Sequence, residues 1–364
     1  MKSFFAIFAI FAFIAVVDFA NFQLPIASMK AILCEQYGGP EVLQVADDLP
    51  TPRVGPNGVL VRVHASSVNP VDWKLREGLL DAVRPVVFPV IWGCDLSGVV
   101  TEAGPAVTLF KPGDEVYGFK DGYVAKTYRG TYAEYVVAPE KTLAKKPSNL
   151  SHLEAACIPL AALTAWQALL GQGKLKQGQR VLIHAGAGGV GVMAIQIAKA
   201  FGAFVAATAS TQNQQLLREL GADLTIDYTR ERIDAIRPKF DLVLDGVGQS
   251  VWGSSMRALK FGGRLITLTV PIPEQRAGKL KFFSTAIAGV AGGTVRGLAG
   301  GKRLLLTRVK PRGGELEKIN ALIEAGKIRP VVEKVFSLDE IAAAHRLSEQ
   351  GHVRGKLVVS VIPS

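Results

Sequence analysis

The segment His184-Ala185-Gly186-Ala187-Gly188-Gly189-Val190-Gly191 carries the strongest chemical signal in the sequence. It follows the apolar run Val181-Leu182-Ile183 and opens a helix-forming stretch that runs to Phe201. Glycines at such a junction let a ligand approach the backbone, because no Cβ stands in the way. The helix behind them offers unpaired N–H groups and the positive end of its dipole, which together suit a phosphate. Ala185, Gly188 and Gly191 keep the spacing of a dinucleotide fingerprint in variant form, with Gly189 and Val190 between them. A plain glycine-rich turn is the competing reading; the strand before and the helix after favour the nucleotide.

The end of the next apolar run, Phe204 to Thr208, bears on which nucleotide. A carboxylate there holds the free ribose hydroxyls of NAD and repels a 2′-phosphate. This chain has Thr208-Ala209-Ser210-Thr211-Gln212-Asn213, and the next acid along the chain is Glu219. Ser210 and Asn213 can donate to a phosphate, and Tyr228 can add its hydroxyl or its ring. The expected cofactor is therefore NADP (NADPH), although no Arg or Lys stands at that strand end.

These residues need a parallel sheet behind them. Leu153 to Leu170 is Ala/Leu-rich and helical. Short apolar strands at 181–184, 204–208, 224–226, 241–244 and 265–268 then alternate with helical stretches at 191–201 and 212–220. That alternation gives βαβ units and a doubly wound parallel sheet. From Met29 to about Leu150 the texture differs. Val59, Val61, Val63 and Ala65 alternate with Leu60, Arg62, His64 and Ser66, the period of a strand. Val99-Val100, Glu115 to Tyr117 and Tyr135 to Val137 follow between glycines and prolines, as in a barrel-like β module. The last sixty residues read as one helix (Glu315 to Ala325), a polar turn and a terminal strand, Lys356 to Val361.

A chain of 364 residues has room for two domains. Its three cysteines, Cys34, Cys94 and Cys157, lie far apart, which excludes a disulfide scaffold and a thiolate-rich zinc site. At the start, Lys2 precedes fourteen apolar residues, Phe4 to Val17. At about 1.5 Å per helical residue they fall short of a bilayer core but match a signal-peptide h-region. A cleaved signal, an uncleaved membrane anchor and an unused upstream start remain open for residues 1–28. The cytoplasm is the expected location.

Several ordered motifs give the chain a family likeness. They are Tyr37-Gly38-Gly39-Pro40-Glu41-Val42-Leu43, Asn69-Pro70-Val71-Asp72-Trp73-Lys74, Gly93-Cys94-Asp95-Leu96-Ser97-Gly98, Lys111-Pro112-Gly113-Asp114-Glu115-Val116, Gly130-Thr131-Tyr132-Ala133-Glu134-Tyr135, the glycine turn and Gly355-Lys356. From about Met29 to Ile362 the chain resembles the medium-chain dehydrogenase/reductase superfamily, in its zinc-free quinone oxidoreductase (zeta-crystallin-like) branch. The resemblance implies an α/β protein with a GroES-like catalytic domain (29–152, completed by 306–364) and an inserted Rossmann domain (153–305). It implies a homodimer and a small quinone or enone, an α,β-unsaturated carbonyl, as substrate. Zinc-dependent relatives carry Cys where this chain has Asn69, and Gly-His-Glu where it has Gly93-Cys94-Asp95, so no metal is expected. Without a Lewis acid to hold an alkoxide, hydride transfer to a conjugated acceptor is favoured over alcohol oxidation.

The same resemblance assigns roles. Asn69 stands beside the nicotinamide as the catalytic candidate, against a plain turn residue before Pro70. Thr164 stands near the nicotinamide carboxamide, against an ordinary helix position. Lys356 lines the cleft, its charge suited to a diphosphate or an enolate, against a solvated lysine. Asp72 reads as a structural acceptor and His184 as a packed strand-end residue. Trp92 and Tyr123 are candidates for the substrate pocket, against ordinary core aromatics.

The net charge is +11, and nine Lys/Arg with no acid lie between Arg276 and Arg312. This span reads as a solvated edge of the Rossmann domain, or as a patch for anionic lipid, since Phe282 to Val295 between its charges is apolar. A nucleotide-binding protein that acts through span 276–312 at a membrane, or on nucleic acid, is the alternative function. Nucleic acid is the less favoured partner, because the charge is confined to one span.

Overall fold

The computed structural model describes residues 28–120, 129–269, 271–272, 278–298 and 300–362. The middle of the chain builds a six-stranded parallel sheet. Its order is Leu224–Asp227, Phe204–Ala209, Arg180–Ile183, Phe240–Asp245, Leu259–Thr267, Arg303–Leu306. The first strand in sequence, Arg180–Ile183, sits in the centre, between the second and the fourth. The strand order reverses there, so a crevice opens at the carboxyl end of that strand, where the glycine turn begins. Helix Gly189–Ala200 packs its buried Val192, Met193, Ile195 and Ile197 against the sheet.

The second sheet is antiparallel apart from one edge pair. Strand Gly58–Val68 lies at its heart and pairs with Lys356–Ser360, Asp95–Ala103 and Tyr135–Pro139. The alternation expected over 59–66 appears only as Arg62 exposed and His64 half-buried. Neighbouring elements cover both faces of the strand, so even Ser66 and Ser67 are buried. The segment from Ala325 to Lys356 holds more than the expected polar turn. It contains strand Val332–Ser337, parallel to Lys356–Ser360, and helix Ile341–Glu349. This sheet therefore takes strands from both ends of the chain.

The helices expected over 153–170 are His152–Ala155 and Pro159–Trp166, the second opening on Pro159. By length and composition His152–Gln172 could cross a membrane, but it is 67% buried as a core element. The basic span is not simply a solvated edge. Residues Lys279–Leu298 form a twenty-residue helix ahead of the edge strand Arg303–Leu306. Residues 1–27, with the apolar run, lie outside the described residues.

Candidate active site

A cleft of about 680 Å³ separates the glycine turn from the strand ends of the antiparallel sheet. Two registers bring its polar residues together. Ser67 lies opposite Asp95, and Val68 opposite Leu357. Asn69, Asp95 and Lys356 therefore meet at one end of three adjacent strands. The Lys356 ammonium donates to Asn69 Oδ1 at 2.5 Å, to the Val68 carbonyl at 3.1 Å and to Asp95 Oδ2 at 3.4 Å. Asn69 Nδ2 donates to Asp95 Oδ2 at 2.9 Å. The lysine side chain is 5% exposed and the aspartate 0%, so this is a buried ion pair.

The geometry changes two expectations. Lys356 is not a solvated lysine; its three protons are directed at three protein acceptors. Asn69 is not a free donor for a ligand, because both ends of its amide hold Lys356 and Asp95. Its backbone N–H donates to Asp72 Oδ2 at 2.8 Å, which fixes the first turn of helix Pro70–Arg76. Asp72 also accepts from the Cys94 thiol and the Tyr132 hydroxyl, so it is a structural acceptor.

Asp95 has no counterpart among the expected site residues. Its Oδ1 accepts the backbone N–H of Leu160 at 2.7 Å, in the first turn of the helix that carries Thr164. One carboxylate thus ties the strand ends to the Thr164 helix. The signal in the sequence was an acid in Gly93-Cys94-Asp95, read only as a missing metal ligand. Lys74 was also missed. It lines the cleft, and burial pulls its pKa below the usual lysine value.

The glycine turn forms the opposite wall. Ala185 adopts φ +52°, a left-handed conformation that costs a residue with a Cβ about 1 kcal/mol. A Cβ on Gly191 would meet the Ala185 carbonyl at 2.2 Å, whereas one on Gly188 would meet nothing closer than 3.4 Å. Gly191 is thus required for the turn, and Gly188 leaves open space above it. Val192 is the first residue of this helix to bond back, to Gly188 O, so the Gly189, Val190 and Gly191 amides face the cleft end unpaired by the helix. The Lys356 stem runs past Gly189, where a Cβ would meet its Cδ at 2.8 Å, and Gly355 N–H bonds Ala187 O at 2.8 Å. The terminal strand is stitched to the nucleotide turn. Thr164 lines the cleft and donates its hydroxyl to Leu160 O at 2.6 Å, so its oxygen faces a ligand as an acceptor. We expect Ala185→Gly to leave cofactor affinity unchanged and to shift stability by less than about 1 kcal/mol, read by urea unfolding.

The remaining candidates lie elsewhere. Trp92 does not line the cleft; it is 1% exposed and packs in the barrel core with Leu96 and Tyr132. It lies between strands Val90–Ile91 and Asp95–Ala103, enclosed by the core. Tyr123 lies outside the described residues. Ser210 and Asn213 sit together past strand Phe204–Ala209, with Asn213 Nδ2 donating to Ser210 Oγ at 3.3 Å. Tyr228 follows the neighbouring strand and is 52% exposed. Asn213 is buried and Ser210 half-buried, and none of the three lines the cleft. The expected freedom from carboxylates holds along the chain but not in space. Asp227 pairs across from Ala209 and accepts the Thr211 hydroxyl at 2.5 Å. That bond and those from Thr229 hold it below the usual carboxylate range. Arg230 stands 3.8 Å from it, a cation the sequence reading missed.

His184 bonds Thr208 Oγ1 and Ser255 Oγ, and burial lowers its pKa to about 4. Burial likewise lowers His152 to about 4, and His345, with Arg76 beside it, to about 3. Each histidine is neutral when folded and takes a proton more readily when unfolded. Their contribution to stability is complete above about pH 6.5 and is lost as the pH falls toward about 4, at up to about 1.4 kcal/mol per histidine and pH unit. The thermal midpoint should therefore drop steeply below about pH 6.5. A midpoint that stays level down to about pH 5 would contradict this.

A nucleotide cradle at the reversal point of a parallel sheet, facing a polar cluster on a second domain, defines a dinucleotide-dependent oxidoreductase. Two family models match the chain: an alcohol dehydrogenase GroES-like domain over residues 55–148 and a zinc-binding dehydrogenase over 220–359. The chain is 36% identical to the mitochondrial NAD(P)H oxidoreductase RTN4IP1 of Danio rerio, over 92% of each protein. It is also 36% identical to the chloroplastic NADPH-dependent alkenal/one oxidoreductase of Arabidopsis thaliana, over 92% of this chain and 80% of that one. The solved structure of the Coxiella burnetii quinone oxidoreductase superposes with a TM-score of 0.79 at 38% identity, over 92% and 99% of the two chains. The chain belongs to the medium-chain dehydrogenase/reductase superfamily, in its quinone oxidoreductase branch.

The zinc in the second model's description does not fit the residues of this chain. The Lys356 ammonium already occupies Asn69 and Asp95, and the Cys94 thiol is engaged by Asp72. Among the described residues no three His, Cys, Asp or Glu are grouped to hold a metal. A dinucleotide does fit, given the open space at Gly188 and the amides beside it.

Proposed function

We propose that the protein is an NADPH-dependent reductase that reduces the conjugated system of an enone or a quinone without zinc. The observation that carries this reading is the buried Asn69–Asp95–Lys356 cluster across the cleft from the glycine turn. The bound NADPH supplies a hydride equivalent. Gly188, Gly189, Val190 and Gly191 would hold its diphosphate, and Thr164 would accept from its carboxamide. Ser210, Asn213 and Tyr228 would receive the 2′-phosphate. Lys356, paired with Asp95 and held by three acceptors, places the positive end of a fixed ion pair at the cleft wall beside Asn69. Such a charge stabilises an enolate or hydroquinone anion as it forms, with no reorganisation needed during the reaction. The rest of the wall is largely apolar, with Val68, Val71, Leu80, Phe119 and Leu268, and suits a flat acceptor poor in hydrogen bonds. The names of relatives that act on alkenals and quinones support the same substrate class.

The test is NADPH oxidation, followed by absorbance, with a panel of enones and quinones; no turnover with any acceptor would overturn the reading. For the cofactor, Ser210→Asp should raise KM for NADPH by about tenfold or more and leave KM for NADH little changed, because a carboxylate there repels the 2′-phosphate. We also propose a homodimer, on the family resemblance; light scattering reads the mass. The proposed location is the cytoplasm. Cell fractionation with N-terminal sequencing checks it, and a native start at Met29 would remove residues 1–28 as an anchor.

A further inference from the structure

We propose that helix Lys279–Leu298 lies flat on an anionic lipid surface and buries its outward face in the headgroup region. One face of this helix is committed to the protein. Phe282 is 5% exposed, a Cβ on Gly289 would meet Pro271 at 2.4 Å, and one on Gly293 would meet Leu304 and Trp252. The opposite face is a mainly apolar stripe, interrupted only by exposed Ser284. Leu280 is 87% exposed, Phe283 45%, Ile287 64% and Val295 66%, with Ala288 and Ala291 exposed between them. Their spacing of three, four and seven residues keeps them on one side at 3.6 residues per turn. The helix spans about 30 Å, so the stripe is longer than the isolated apolar contacts normal on a soluble surface.

The charges say what covers it. Lys279 and Lys281 are exposed and sit on either side of the stripe at its start, about 100° to each side of Leu280. From Lys279 to Arg312 the chain carries only basic charges. A second copy packed on this stripe would set lysines and arginines against lysines and arginines, a juxtaposition that opposes association. An anionic bilayer complements the same pattern, with apolar side chains entering the headgroup boundary and lysine stems reaching back to phosphates. The helix rests on the bilayer and does not span it, because its other face is packed against Trp252 and Leu304.

The test labels the full chain at Ile287→Cys with an environment-sensitive fluorophore; the native cysteines, Cys34, Cys94 and Cys157, are all buried. A second preparation carries the label at the exposed Glu317→Cys on another helix. Vesicles of phosphatidylcholine with phosphatidylglycerol should raise and blue-shift the emission at position 287 and leave 317 unchanged. Vesicles of phosphatidylcholine alone should require about tenfold more lipid, and so should Lys279→Glu with Lys281→Glu on anionic vesicles. An unchanged signal at 287 would overturn the proposal, even if residues 1–28 bring the protein to the vesicle. So would an equal response at 317, or a shift at 287 that grows with protein concentration without lipid, which would show a second copy on the stripe.

Discussion

Replacing Lys356 with methionine should lower kcat/KM for enone reduction by about two to three orders of magnitude, with the loss mainly in kcat. The same change should cost about 3 kcal/mol of stability. Both effects follow from one geometry. The ammonium balances the fully buried Asp95 and orients Asn69 from 2.5 Å. Removing it leaves a buried carboxylate without its cation, which is far costlier than never having had the pair. Lys356→Met combined with Asp95→Asn should recover much of the stability, because the single amide oxygen can still accept the Leu160 N–H and the amide nitrogen can donate to Ser67 Oγ. It should recover little activity, since the positive charge stays absent. Urea unfolding reads the first effect and steady-state kinetics the second. A single variant within about threefold of the parent in kcat/KM would show that the charge takes no part in the reaction.

The second large effect separates two glycines three residues apart. Gly188→Ala places its Cβ in open space on the cleft side of the turn. The fold should hold, with a thermal midpoint near that of the parent, while the Kd for NADPH rises by about tenfold or more, because the methyl stands where the diphosphate approaches. Gly191→Ala drives its Cβ to 2.2 Å from the Ala185 carbonyl. The turn must open, so this variant should lose about 3 kcal/mol or more of stability and cofactor binding with it. Calorimetry with NADPH and thermal unfolding of both variants read the contrast. Equal loss of stability in the two would mean that the glycines serve the fold alone.

The parallel sheet was legible because apolar runs and glycine turns recur along it, and each βαβ unit repeats the signal. The nucleotide wall at Gly188 to Gly191 was legible for the same reason: its residues are consecutive. The other wall was not. Asn69, Asp95 and Lys356 are separated by up to 287 residues and meet only through strand register. Asp227 and Thr211 likewise meet across two strands, so a reading along the chain found no acid near Ser210. Helix Lys279–Leu298 escaped because its glycines and β-branched residues weaken helix propensity, and packing against Trp252 and Pro271 overrides that weakness. Trp92 was misplaced because a large aromatic beside a motif reads the same whether it faces a cleft or a core. The segment 332–349 read as polar because its strand is exposed at several positions along one edge.

The proposed function rests on direct hydride transfer to a conjugated carbon. It is tested by single turnover of an enone with NADPH deuterated at the transferring position of the nicotinamide, in ordinary water, with the product read by mass spectrometry and NMR. The product should carry one deuterium on the β-carbon, a solvent hydrogen on the α-carbon and an intact carbonyl. Deuterium on the carbonyl carbon of an alcohol product, or deuterium lost to solvent with no reduced product, would contradict it.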